Sequence, residues 1–405
     1  MGVKRIKGGV CAAKGFRAAG VAAAIKYKDR NDVALIVSDA PASAAAVFTT
    51  NAVAAAPVQY DRRIVARGRI QAILANSGCA NACTGEAGLK DAELSALATA
   101  GELGIDPSLV LVASTGVIGH RLPVDRLLAG MKRAAATLER SPEAGLAAEK
   151  AVMTTDTKPK EAAVQTRIGG RLVTVGGMCK GSGMIEPNMA TMLGFITTDC
   201  AISPAMLRRA LRRAIAVSFN HVVVDGDEST NDSVFLLASG LAGNAPITAA
   251  GPDFDAFVEA LEAVGVSLAR QMAADGEGAT KFVEVRVKGA KTQRDAERAA
   301  RAIAKSPLAK TSWFGKDPNW GRVLAAAGYS GAVVDDRLAD VFYGRTWAYR
   351  HGKVADDAQL ARLAKELEGP ELIVTVDLNL GGFSSSIYTC DFSLDYVHIN
   401  ADYTT

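Results

Sequence analysis

Short β-branched runs alternate along this chain with longer, Ala-rich stretches in which apolar positions recur every three or four residues. That pattern predicts strands and helices interleaved throughout. Runs of the first kind at 32–38, 70–76, 109–114, 171–176, 192–198 and 222–225 are expected as strands. Stretches of the second kind at 91–103, 124–139, 204–218 and 254–274 are expected as helices, with Ser203 placed to cap the third and Pro204 in its first turn. Beyond Thr280 the texture changes: 282–287 alternates apolar and polar, a helix is expected over 293–305, and 372–377 alternates again. The prediction is a main domain over 1–280 and a smaller α+β domain over 281–405. No low-complexity linker and no repeat of solenoid period separates them.

Composition removes several classes of function. With 405 residues, 49% of them hydrophobic and 22% charged, the chain has enough apolar material for a large core. Lys plus Arg at 46 against Asp plus Glu at 43 is a near balance, so nucleic acid is not an expected partner. Six cysteines without CxxC spacing fit a reducing compartment, and a cytoplasmic location is expected. No run reaches the roughly 18 apolar residues that a membrane span requires. The early basic residues Lys4, Arg5, Lys7, Lys14 and Arg17 resemble a transit peptide, but Gly8, Gly9, Gly15 and Gly20 break its helix.

The four histidines, His120, His221, His351 and His398, make no short metal-ligand spacing, so no metal is expected. The acidic run from Asp225 to Asp232 resembles a calcium loop. It carries Thr230 where glycine is required and Leu236 where glutamate is required. Neither a dinucleotide fingerprint, nor a complete P-loop, nor a GxSxG elbow occurs.

The informative segment is GGMCKGSGMIEPNMATML, from Gly176 to Leu193, where a glycine-rich approach and Pro187 precede Ala190 and Thr191. Two readings stay open on the residues alone. In one, the segment is a loop between strands, its glycines supplying positive φ and Thr191 opening the next strand. In the other, the Thr191 hydroxyl attacks the Ala190 carbonyl, the peptide shifts to an ester, and hydrolysis leaves Thr191 at a new N-terminus. Such a threonine carries its own base, because a free α-amine titrates at roughly 7.7–8.0 and takes the hydroxyl proton without histidine. Acyl transfer also needs donors facing the developing oxyanion. STGVIG (Ser114 to Gly119), following an apolar run, offers the Thr115 hydroxyl and the Gly116 amide, or else is an ordinary turn.

With these motifs the chain resembles the ornithine acetyltransferase family, also called glutamate N-acetyltransferase. The likeness continues in GFRAAGVAAAIK, NSGCANACTG, MTTDTKPK, DGDESTND, GEGATK, DPNWGR and YVHINADYTT, in order over nearly the whole length. The resemblance implies an α+β fold built as an α/β/β/α sandwich with a smaller C-terminal α+β domain whose tail reaches the site. It implies cleavage between Ala190 and Thr191, with the two chains remaining together in an α2β2 assembly. Thr191 is then the nucleophile of a ping-pong transfer of acetyl from N-acetylornithine to glutamate. Thr115 and Gly116 match the oxyanion hole. Thr154, Lys180, Glu277, Asn400 and Thr405 match substrate contacts, with Lys180 expected to hold the α-carboxylate and Glu277 the δ-ammonium. No cofactor is required, and acetyl-CoA is left open as a second donor. The competing expectations are an N-terminal-nucleophile aminopeptidase or amidase on the same scaffold, and a self-cleaving but inactive structural subunit.

Overall fold

The computed structural model describes residues 2–186 and 192–402. Nine strands of the described residues are joined by hydrogen bonds in one sheet: β1 (Lys4–Ile6), β2 (Phe16–Val21), β3 (Val33–Phe48), β4 (Arg69–Asn76), β5 (Val110–Ser114), β6 (Glu161–Ile168), β7 (Arg171–Lys180), β8 (Leu193–Thr198) and β9 (Ser233–Ala238). The order is β1-β6-β7-β8-β9-β3-β4-β5, with β2 also on β3. The 16-residue β3 serves two layers. Its first part pairs with β2 and most of β4, its second with β9, and the register shifts between Val37 and Ala42.

Helices cover the two outer faces. α1 (Ala56–Val65), α2 (Gly85–Leu103) and α3 (Val124–Ala136) enclose one core with β3, β4 and β5, while α4 (Pro142–Val152) packs on β2. α5 (Pro204–Val217) and α6 (Pro252–Ala274) enclose a second core with β6 to β9. A third core lies between the strand layers, where Phe195 and Phe235 stack with ring centroids 5.6 Å apart. Successive strand side chains point to opposite faces. Phe195 and Phe235 therefore enter the middle core, and their neighbours Ile196 and Leu236 enter the core under α5 and α6. Coverage on both faces is why these runs read as continuously apolar. The layers follow the α/β/β/α order that the resemblance implied.

A second sheet follows: β10 (Phe282–Ala290), β11 (Asp340–Tyr343), β12 (Thr346–Arg350), β13 (Lys353–Val354), β14 (Glu371–Asp377) and β15 (Phe383–Cys390), in the order β13-β12-β11-β14-β10-β15. It shares a core, with Trp313 and Tyr343 at its centre, with α7 (Gln293–Lys305), α8 (Pro307–Phe314), α9 (Trp320–Gly328) and α10 (Asp357–Glu366). The described chain closes with α11 (Leu394–Asp402). No helix among the described residues is long and apolar enough to cross a membrane.

One expected strand is absent. Residues 222–225 make one isolated bridge, Val222 to Tyr388, and then bend; the three valines are fully buried, but their hydrogen bonds go to single partners instead of a ladder. Val223 N–H donates to the Tyr388 carbonyl and Val224 N–H to that of Ile185, both at 2.9 Å. The β-branched run thus ties the second sheet to the segment that follows β7. α2 begins six residues before its expected start, because Gly85 and Glu86 continue the turn that its apolar periodicity does not mark.

Candidate active site

β5 ends at Ser114, and the chain turns back at once. The Thr115 N–H donates to the Asn76 carbonyl at 3.0 Å, so its amide is occupied and only its hydroxyl faces the site. Gly116 adopts φ +128°, and a Cβ there would stand 2.5 Å from the Gly78 carbonyl carbon. This close approach needs a residue without a side chain. The NSGCANACTG stretch is therefore the wall behind the turn. Asn231 braces both, donating to the carbonyls of Ala80 at 2.6 Å and Ser114 at 2.8 Å.

β7 brings Lys180, 3% exposed, to the same place. Its Nζ donates to Thr115 Oγ1 at 3.2 Å. With its lone pair engaged, the hydroxyl keeps its hydrogen for another acceptor. Burial lowers the Lys180 pKa, the nearby Asp156, Glu277 and Asp232 carboxyls oppose this, and the Lys160 charge adds to it.

The MTTDTKPK stretch forms a buried ionic cluster beneath. Lys160 Nζ lies 2.7 Å from Asp156 Oδ1 and 2.6 Å from Asp275 Oδ2. Asp156 also accepts from the amides of Thr154 at 3.0 Å and Gly181 at 2.7 Å. Burial alone would raise the Asp156 carboxyl, but Lys180, Lys160 and these donors outweigh it and hold it well below the usual range. Its contribution to stability is therefore complete above about pH 4 and is lost as pH falls further. Replacing Lys160 by Met leaves two buried carboxylates without their shared cation, an expected loss of about 3–5 kcal/mol. Urea unfolding at pH 7 reads this as a lower midpoint, and an unchanged midpoint would contradict it.

Glu277 approaches from the segment after α6, its N–H bonded to the Ser182 carbonyl at 2.9 Å. Its Oε2 accepts from Asn400 Nδ2 at 2.8 Å. Gly278 makes this meeting possible: at φ +66° it lies so close to α11 that a Cβ would stand 2.4 Å from the Tyr396 nitrogen.

Thr115, Gly116, Thr154, Lys180, Glu277 and Asn400 line one open cavity. Ala190, Thr191 and Thr405 lie outside the described residues. The chain resumes at Met192, whose N–H is held at 2.9 Å by the buried Asp232. Upstream, the amides of Met184 and Ile185 donate to the two oxygens of Asp225 at 2.5 and 2.8 Å. Glu186 lies 3.1 Å from Lys305. Asp156, Lys160, Asp275, Asn231 and Asp232 were not singled out from sequence. All but Asp275 lie in the quoted motifs, but nothing in the spacing brings Asp275 to Lys160 or Asn231 to Ser114.

The sequence matches the ArgJ family over residues 17–405. It is 53% identical over 404 residues, 99% of each chain, to the arginine biosynthesis bifunctional protein ArgJ of Symbiobacterium thermophilum. The chain belongs to the ArgJ family. The ArgJ protein of Geobacter sulfurreducens is 49% identical, over 97% of this chain and 99% of its own. Among solved structures, an ornithine acetyltransferase from Mycobacterium tuberculosis complexed with ornithine is 40% identical, covering 46% of this chain and 99% of that chain with a TM-score of 0.43. An ArgJ protein from Bacillus halodurans is 43% identical over 46% of this chain and 97% of its own, with a TM-score of 0.45. The cavity, the STG turn and the buried ionic cluster thus belong to an ArgJ family scaffold.

Proposed function

We propose that this chain is a self-cutting acetyltransferase of arginine biosynthesis. It moves the acetyl group of N-acetylornithine to glutamate through an ester on Thr191, releasing ornithine and forming N-acetylglutamate. The observation that carries the reading is the convergence of Thr115, Gly116, Lys180 and Glu277 on one cavity.

Each group has a task. The Thr191 hydroxyl adds to the acetyl carbonyl, and charge develops on the carbonyl oxygen. The Thr115 hydroxyl, oriented by Lys180, and the Gly116 amide receive it. Lys180 retains donors for the α-carboxylate that donor and acceptor share. Glu277 offers its second oxygen to the δ-ammonium of ornithine while Asn400 holds the first. Ornithine leaves with the proton, glutamate enters, and its amine takes the acetyl group in the reverse sense. Thr154 and Thr405 complete the substrate contacts.

The cut would fall between two paired strands. The β7–β8 ladder, from Val175 opposite Thr198 to Lys180 opposite Leu193, holds the pieces together after the backbone breaks. That continuity supports two chains acting as one unit; the further pairing into an α2β2 assembly and a place in the cytoplasm are proposed from the family resemblance. No cofactor is needed, and acetyl-CoA enters only as an alternative acetyl donor.

The test is acetyl-labelled N-acetylornithine with purified protein. Label is expected in N-acetylglutamate when glutamate is present, with ornithine release rising accordingly. Free acetate formed at the same rate with or without glutamate would overturn transfer in favour of hydrolysis.

A further inference from the structure

The cavity is walled mostly by polar residues, and its apolar ones are not spread evenly. Among the described residues that line it, the apolar side chains are those of Ala80, Ile118 and Met184. Ala80 and Ile118 stand together. With the buried Ala55 and Ala82 they make a small apolar cluster apart from the larger cores, on which Ile118 packs half-buried. Both flank the STG turn. Ile118 follows Gly116 by two residues, and 80–82 run beside 117–119, the Ala80 amide bonded to the Val117 carbonyl at 2.9 Å and the Gly119 amide to the Ala82 carbonyl at 3.0 Å. The Ala80 carbonyl accepts from Asn231 at 2.6 Å. With both its amide and its carbonyl engaged, Ala80 has little room to retreat from a larger neighbour. Met184 lies on the Glu277 side, next to Gly183, where a Cβ would stand 2.4 Å from the Glu277 carboxyl carbon.

We propose that Ile118 and Ala80 seat the methyl of the acetyl group and set the largest acyl group that this chain transfers. The inference rests on the transferase reading, with Thr115 and Gly116 facing the carbonyl oxygen. The carbonyl carbon of the donor bears that oxygen, the leaving amine and a methyl. Lys180 and Glu277 answer the polar ends of the amino acid, and the turn answers the oxygen. The methyl makes no hydrogen bond and gains only by leaving water. Because it shares a carbon with the oxygen, it comes to rest beside the turn, where the apolar surface is that of Ile118 and Ala80. A propionyl group carries one methylene more, and an apolar pocket discriminates on one methylene by about 10–200-fold.

The experiment compares kcat/KM for N-acetylornithine and N-propionylornithine, with glutamate as acceptor, in wild type, I118A, I118V and M184A. Wild type is expected to favour the acetyl donor by about 10-fold or more. I118A, which cuts the wall back, is expected to raise the propionyl-to-acetyl ratio at least about 10-fold, and I118V, which removes a single methyl, by less. M184A is expected to lower both rates alike and leave the ratio in place. The ratio decides, because a loss of folded or correctly cut enzyme lowers both rates together. If I118A does not fold, the I118V ratio takes its place. A wild type indifferent to the added methylene, a ratio unmoved by the Ile118 variants, or an equal shift in M184A overturns the seat. A wild type that moves no acetyl group overturns transfer and the seat with it, a result distinct from acetyl transfer with an unmoved ratio.

Discussion

Thr191→Ala is expected to give a chain that stays in one piece and transfers acetyl groups about 10⁴–10⁶-fold more slowly than wild type. Alanine has no oxygen to attack the preceding carbonyl, so no new N-terminus forms, and none to carry the acetyl group afterwards. The oxyanion donors and the binding groups remain, which is why a residual rate above solution is expected. Thr191→Ser keeps the oxygen and is expected to retain part of both steps, with slower cutting because serine lacks the β-branch that restricts χ1. Intact mass and ornithine release measure the two effects separately. Efficient cutting of the alanine variant would eliminate the intramolecular attack.

Gly116→Ala is expected to be nearly as damaging for a different reason. An L-residue at φ +128° is strained, and its Cβ would press on the Gly78 carbonyl carbon at 2.5 Å and the Cys79 nitrogen at 2.7 Å. Both contacts are backbone, so no side chain can swing away to relieve them. The turn must shift, and Gly116, which lines the cavity, moves with it. Turnover should fall about 10²–10³-fold, the value of one oxyanion donor. Stability should fall by about 2–4 kcal/mol from strain and overpacking together. Gly119→Ala is the matched control, since Gly119 has φ +82° in the same turn but nothing within 4 Å of a built Cβ. It should lose some stability and keep most of its turnover. Equal turnover losses in the two variants would contradict the role given to the Gly116 amide.

Elements whose pattern owes little to distant partners were legible in the sequence. α7 runs from Gln293 to Lys305 as its amphipathic period predicts. α5 opens after Ser203, whose hydroxyl accepts the Met206 amide. The second half of β3 was not legible, because its Ala-rich composition carries no strand preference and only pairing with β9 makes it extended. The valines at 222–224 gave the opposite error, since a β-branched run says buried and extended without saying what it bonds to. For the site, the ordered motifs named Thr115, Gly116, Thr154, Lys180, Glu277 and Asn400, and the fold brings all six to one cavity. What holds them there was hidden. Lys160 reaching Asp275, and Asp232 holding Met192, are contacts between residues far apart in the chain, and no local periodicity records them.

The most direct measurement is the mass spectrum of the purified protein before and after incubation with N-acetylornithine in the absence of glutamate. Two pieces are predicted, the second beginning at Thr191. That piece gains the mass of one acetyl group on its first residue and loses it when glutamate is added. A single intact chain with full transferase activity, or an acetyl group carried on any other residue, would contradict the account.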